Sequence, residues 1–524
     1  MLALGISDIF VEIMVQGRDM VNEQTYGIWY NSTDYRLLAQ IIGRLTQSIE
    51  KEIMMELFAI LLSLILLMYF AFRGYSIILF APLFAIMAAM ASHFSLMPVY
   101  TEIFMTKAAE YFKMYFSIFL LGAVFAKVME DGGLARAIAG AIAGKLGKEN
   151  AILAVILGCG FLTYGGISVF VVVFVMYPFA AALFREADIP KRLIPAALWL
   201  GTFTFSMGAF PGSPQIQNII PTAFFGTTTW AEPLIGVISG VSIFSSGWAW
   251  LLYRQRQAAA QGEGYGLHAL NEPAKSTAEQ LPGQWLSVLP LAVVLLANLY
   301  LSNPFAWSWA YQWNPDILLP FKTLQLSLLS SGIDKVRAIW SLNIALILGI
   351  LLALMIGRRQ LRQKGGAAAA LNGGAISSLV AVLNTASGYG YGSVVASLAG
   401  FQVIKSFLLD IKLGNGPLVS EAITVNIMAA ITGSASGGIT IALGMLGSDY
   451  LAWAQTAGLS PDALHRFAAL ASSGLDSMPH NGGLITVMAV CGLTHKESYY
   501  DLFVITIIKT VLIFGLIGLY LAFM

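Results

Sequence analysis

The chain has 524 residues, 57% hydrophobic and 11% charged, with a net charge of +1. A soluble domain carries about 25% charge, so this composition excludes one, and many runs reach the ~20 apolar residues that cross a bilayer core. The absence of a basic tract argues against nucleic acid as a partner, and with no CxxC, HExxH, Walker loop or GxSxG there is no common catalytic motif and no cofactor to invoke.

In chain order, residues 1–54 are the most polar and read as an N-terminal extension. No basic region precedes their short apolar run, so they are not a cleavable signal peptide. Met54 and Met55 offer an alternative start, and Asn31-Ser32-Thr33 matches a glycosylation sequon by chance. A first transmembrane repeat, 55–253, holds spans near 56–72, 75–92 and 112–129, broken apolar segments at 150–184 and 191–226, and a span at 233–253. A polar linker, 254–284, contains Arg254, Arg256, Glu263 and Lys275. The second repeat, 285–524, has spans near 285–301, 338–356 and 374–398, broken segments at 420–447 and 463–493, and a last span at 500–523. Cys159 and Cys491 lie in apolar segments of opposite halves and read as small packing residues.

Cationic loops are retained in the cytoplasm. Arg358, Arg359, Arg362 and Lys364 form the strongest cluster, and the linker also carries cations. Placing both inside puts Lys145, Lys148, Arg185, Lys191 and Arg192 inside too, with Lys405 and Lys412 as violations. The count then requires 150–184 and 420–447 each to enter and leave on one face as re-entrant hairpins. The expected fold is an all-α polytopic membrane protein of two inverted-topology repeats, each with a re-entrant hairpin and a broken transmembrane helix. The halves align: Gly166-Ile167-Ser168 matches Gly438-Ile439-Thr440, a Pro motif follows at similar distance (Pro211, Pro479), and each broken helix ends in a glycine, Gly226 or Gly492.

Helices interrupted inside a membrane expose free N–H groups at one break and free carbonyls at the other. The former attract anions and the latter hold cations. Two hairpin tips facing two breaks would form a central pocket for a small organic anion and a coupling ion. Its candidate substrate-binding residues are Thr163, Gly166, Ser168, Ser213, Gln215 and Asn218 in the first half. In the second they are Ser434, Ser436, Thr440, Ser473 and Asn481. A single Ser or Thr in a membrane helix often bonds only its own backbone, so the cluster carries more weight than its members. Asp476 and His480, ionisable at membrane depth, are the candidate proton-coupling pair. The first half offers no ionisable group near its Pro motif, so coupling should lean on the second. Lys127, Glu130 and Asp131 read as interfacial, Asn384 as a weaker pocket candidate, and Tyr389 and Tyr391 as core or gate.

The run FLLGAVFAKVMEDGGLARAIAGAIAGKLGKENA, from Phe119 to Ala151, resembles the signature region of the gluconate:proton symporter (GntP) family. The similarity continues through the first hairpin, the PGSP break, ITGSASGGIT and the last broken helix. It implies an inverted-repeat ion transporter of the bacterial inner (cytoplasmic) membrane that takes up a small hydroxycarboxylate with a proton. Gluconate permeases carry a Glu in the first hairpin, where this chain reads Tyr164-Gly165-Gly166-Ile167. They also have a His before the first Pro motif, where this chain reads Phe205 to Phe210. A smaller, less hydroxylated acid such as 3-hydroxybutyrate follows from those departures. Sodium coupling, with Asp476 or Asn481 among the ligands, and a non-transporting membrane subunit are the alternatives; the sequence leaves the oligomeric state open, a homodimer being one option.

Overall fold

The computed structural model describes residues 51–70, 73, 75–92, 94–268, 270–272, 281–317, 333–411, 416–479 and 481–523. Among them every regular element is a helix. Eight helices are long and apolar enough to cross a membrane, or nine if one bent pair counts as a span. The predicted extension 1–54 lies almost entirely outside the described residues, as does His480.

In the first half, α1 (Lys51–Phe70) and α2 (Ile77–Ala89) lead into the 36-residue α3 (Leu96–Asp131). The expected 112–129 span is thus only the C-terminal half of a longer helix. Next come α4 (Leu134–Leu146) and α5 (Ala151–Tyr164), which meet at a bend of 101°. Gly147, at φ +65°, makes the corner. Helix α6 (Val169–Glu186) returns beside α5, and α7 (Ile194–Thr202), α8 (Phe205–Gly208) and α9 (Ile216–Phe225) are the pieces of one broken helix. The long α10 (Pro233–Ala260) closes the half.

The second half follows. Helices α11 (Gln284–Ser302), α12 (Asp334–Ile356), the short α13 (Arg358–Gln363) and the 32-residue α14 (Gly366–Ser397) come first. After α15 (Phe401–Leu409), α16 (Leu418–Thr432) and α17 (Ala435–Thr456) form a hairpin. The Tyr450 hydroxyl meets Thr424 Oγ1 at 2.7 Å across its two arms. Then α18 (Pro461–Ser472) and α19 (Gly482–Cys491) are the broken helix, and α20 (His495–Phe523) is the last span.

Helices α3 and α14 pack along their lengths because α14 is rich in small residues. A Cβ on Gly374 would lie 2.5 Å from the Val124 backbone, and one on Gly390 2.8 Å from the Phe104 carbonyl. Such close approach is how helices associate in lipid, where hydrophobicity gives no drive between them. The outward faces carry Phe58, Leu79, Leu234, Leu296, Met355, Ile376 and Val511, all highly exposed. A soluble monomer does not expose apolar surface on that scale.

The linker is folded onto both halves. Arg192 donates to Glu263 in a forked pair at 2.7 and 2.8 Å, and also to Asp501, which accepts from Arg254 at 2.6 Å. Lys191 Nζ lies 2.8 Å from Glu272, which also pairs with Arg185. Asn271 donates to the Ala489 carbonyl at the end of α19. The Arg192 hydrogen bonds hold the Glu263 carboxyl below the usual carboxylate range. A depressed pKa means that this part of the docking is complete above the ordinary range and is lost as pH falls through the lowered value. Glu263→Gln is therefore expected to lower amide protection factors over residues 262–268 a few-fold at pH 7 and to abolish their acid dependence; hydrogen exchange measures both.

Candidate transport site in two broken helices

Each hairpin turns on a glycine. Helix α5 ends with Ile167 N–H bonded to the Leu162 carbonyl at 3.1 Å around Gly166, whose φ is +97°. Helix α16 ends on Gly433 at φ +58°, and Ser434 then caps α17 by accepting from Gly437 N at 3.2 Å. These are the left-handed helix stops that glycine allows. The first tip lies on the first break. Gln215 Nε2 donates to the Thr163 carbonyl at 2.7 Å and the Ile167 carbonyl at 3.1 Å, and the Tyr164 hydroxyl donates to the Pro211 carbonyl at 2.8 Å.

The first break, 203–215, is crossed by the second half. A Cβ on Gly208 would sit 2.5 Å from the Ala469 carbonyl, so α8 and α18 touch backbone to backbone. One turn earlier, Arg466 is fully buried and every bond it makes goes to the first half. Nε and Nη2 donate to the Ala231 carbonyl at 2.9 and 2.7 Å, and Nη1 donates to the Gly208 carbonyl and Asn218 Oδ1, both at 3.0 Å. Nη2 also reaches the Thr229 carbonyl at 3.2 Å. His465 joins Thr227 Oγ1 at 2.6 Å and Asn218 Oδ1 at 3.2 Å. The first half's own residues near the Pro motif carry no ionisable group, yet the break is not without charge. Its charge comes from α18, 235 to 258 residues away in sequence.

The second break, 473–481, is held by amides. Asn481 caps α19 by accepting from Leu484 N at 2.9 Å, and its Nδ2 donates to the Asp476 carbonyl at 2.6 Å. Asn426, on α16, accepts from Leu475 N at 3.0 Å, tying the second hairpin to this break. Asp476 Oδ1 faces Lys509 Nζ of α20 at 3.9 Å, with both side chains 1% exposed. Neither atom has a hydrogen-bond partner.

The expected residues therefore fall into two groups. Thr163, Gly166, Ser213, Gln215 and Asn218 come together at the first break, and Asp476 with Asn481 at the second. Asn218 is saturated, since Nδ2 donates to the carbonyls of Ser213 and Thr229, both at 2.9 Å. Ser213 and Ser473 donate to nearby backbone carbonyls. Ser434 and Ser436 bond each other at the second tip, and Thr440 meets Tyr111 at 3.4 Å. Ser168 caps no amide with its side chain. Asn384 accepts from Ser76 at 3.5 Å, and Tyr391 is buried against Ser63. Lys127 pairs with Glu130 and Asp131, the latter also 3.7 Å from Lys364 of the basic cluster. Cavities flank the first break. One of about 290 Å³ is lined by Thr227, Trp230, Glu232 and Asp462, and an apolar one of about 630 Å³ by Phe161, Tyr164, Phe205 and Pro211.

Arg466, His465, Lys509 and Glu421 were not expected. Glu421 of α16 is fully buried, and neither carboxylate oxygen has a protein hydrogen-bond partner. An isolated ionisable residue within an apolar segment is the signal that finds Lys509 and Glu421.

Two helix breaks among apolar helices, with buried ionisable groups at both, fit a polytopic membrane transporter. The chain is 43% identical over 482 residues to the uncharacterized transporter YxjC of Bacillus subtilis (strain 168), covering 89% of this chain and 99% of that protein. It belongs to the YxjC transporter family: a transporter rather than an enzyme, and a multi-pass protein of the bacterial inner (cytoplasmic) membrane. Among solved structures it is similar to the YdaH transporter of Alcanivorax borkumensis, with a TM-score of 0.49 and 16% identity over 80% of this chain and 89% of that one. No model of a known protein family matches the chain.

Proposed function

We propose that the protein is a secondary active symporter that takes up a small organic hydroxycarboxylate, such as 3-hydroxybutyrate or a gluconate-like acid, together with a proton. Its two halves, 55–253 and 285–524, act as inverted repeats around the breaks, with the linker on the cytoplasmic side. The observation that carries this reading is Asp476, a buried ionisable group in the backbone break of an apolar helix, whose Oδ1 faces the Lys509 ammonium and has no hydrogen-bond partner. A carboxyl group there can take up and release a proton as its surroundings change. The likeness of Phe119 to Ala151 to the gluconate:proton symporter signature supports the substrate class.

Sodium coupling is less favoured because the Gly208 carbonyl of the first break, which could ligate a cation, already accepts from the Arg466 guanidinium. Purified protein in proteoliposomes with an imposed pH gradient should accumulate labelled 3-hydroxybutyrate against its gradient. Accumulation that survives collapse of the pH gradient sinks proton coupling. A requirement for sodium at a fixed pH gradient would replace it by sodium coupling.

A further inference from the structure

We infer that Lys509 is the anchor for the substrate carboxylate, and that it pairs alternately with Asp476 and with the substrate, so that each anion taken up displaces Asp476 in its protonated form. This rests on the symport reading above and gives it a mechanism and a stoichiometry.

Lys509 is the central residue of the 29-residue α20. Its ammonium carries three N–H donors, and none is used. At 3.9 Å the Asp476 carboxylate balances its charge without making a hydrogen bond. Among the described residues each is the only charged group facing the other. A purely structural buried pair normally closes to hydrogen-bond distance, because attraction without good geometry does not offset the cost of desolvating two ions.

The surrounding bonds hold Asp476 beside Lys509 while leaving Asp476 Oδ1 and Lys509 Nζ without a hydrogen-bond partner. Asn481 and Asn426 fix the backbone of the break on one side. On the other, Ser477 bonds Thr506, one turn before Lys509 on α20, and the Tyr499 hydroxyl donates to the Ser477 carbonyl at 3.0 Å. The scaffold is complete, and the donors of Lys509 are left for a ligand. A compact ammonium on a flexible stem can follow an anion a short distance.

Charge balance fixes the order of events. In the empty site Lys509⁺ and Asp476⁻ sum to zero. In the loaded site the proton is on an Asp476 carboxyl oxygen, the substrate carboxylate is on Lys509⁺, and the sum is again zero. Protonation without substrate leaves a buried cation unpaired, and substrate without protonation leaves one anion too many. Breaking a buried pair in either way costs several kcal/mol, so proton and anion move together. The cycle is electroneutral, one proton per monocarboxylate. A dicarboxylate would bring a second buried charge with no partner.

The experiment uses the full-length protein in proteoliposomes with labelled 3-hydroxybutyrate. Wild type should accumulate it under a pH gradient and be indifferent to a potassium diffusion potential. Asp476→Asn, which mimics the protonated state, should keep binding and substrate exchange, lose their pH dependence, and lose gradient-driven accumulation. Lys509→Met should weaken binding by about 100-fold or more. The double variant Asp476→Asn/Lys509→Met removes both charges, so it should fold, with a thermal midpoint at or above wild type, yet not bind. Wild-type affinity in the double variant, pH-driven accumulation by Asp476→Asn, or wild-type uptake driven by membrane potential would overturn the exchange while leaving the transporter a symporter. Loss of proton coupling in Glu421→Gln with coupling intact in Asp476→Asn would do the same and move the proton to α16. A wild type that ignores the pH gradient overturns the symport reading itself.

Discussion

Arg466→Met should cost the protein most of its folded stability in detergent. The guanidinium uses all three of its nitrogens, and its acceptors lie on three separate stretches of the first half. Some of these acceptors keep other donors. The Thr229 carbonyl still receives Gly212 N and Asn218 Nδ2, and Asn218 Oδ1 still receives His465. The Gly208 and Ala231 carbonyls lose their side-chain donor altogether. An unsatisfied buried acceptor costs about 1–3 kcal/mol, so the pair accounts for about 2–6 kcal/mol, against a whole-domain stability of about 5–15 kcal/mol. Arg466→Lys keeps the charge but not the planar fork, and should fall between the two. Thermal midpoints of the three purified proteins measure this, and a midpoint unchanged in Arg466→Met would show that the carbonyls are satisfied in some other way.

Gly438→Ala is expected to open the second hairpin. A Cβ there would lie 2.3 Å from the Ala429 nitrogen and 2.4 Å from its Cα. The obstruction is backbone on the opposite arm, which cannot rotate away as a side chain can. Overpacking of this kind costs about 1–3 kcal/mol and sometimes more. The contact lies close to the tip, so relief requires the arms to spread where Ser434 and Ser436 pair. Uptake should therefore fall more steeply than stability. Gly144→Ala is the matched control, since nothing lies within 4 Å of its added methyl, and removing a glycine from the interior of α4 should be neutral or slightly stabilising.

The parts of the fold that were legible in sequence are those set by local rules. Gly166, Gly433, Gly226 and Gly492 each stop a helix in a left-handed conformation, and Pro211, Pro214 and Pro479 interrupt the broken segments. Each acts within a few residues of itself, so the breaks and hairpins could be placed from the chain alone. The electrostatics were not legible in the same way. Asp476 stood out because Pro, His and Asn surround it, whereas its partner Lys509 lies 33 residues on in a run that otherwise reads as plain span. Arg466 sits in a segment whose high polarity suggests a helix end. Only the crossing of α8 and α18 turns it into a buried cation, and that crossing is a product of tertiary packing. Helices α4 and α15 escaped for another reason: at 13 and 9 residues they are too short to read as spans.

The Arg466 bonds and the Gly208–Ala469 contact also limit how this molecule can change shape. Two pieces joined by a hinge can turn independently, but two pieces joined by seven side-chain hydrogen bonds and a backbone contact share one set of rotational coordinates. The two broken helices are therefore one mechanical body drawn from both ends of the chain. If access alternates between the two sides of the membrane, the moving boundary must run outside that body, along its contacts with the long helices α3 and α14. In any second conformation the distance from Arg466 Nη2 to the Ala231 carbonyl should be conserved, while distances from α18 to α3 change.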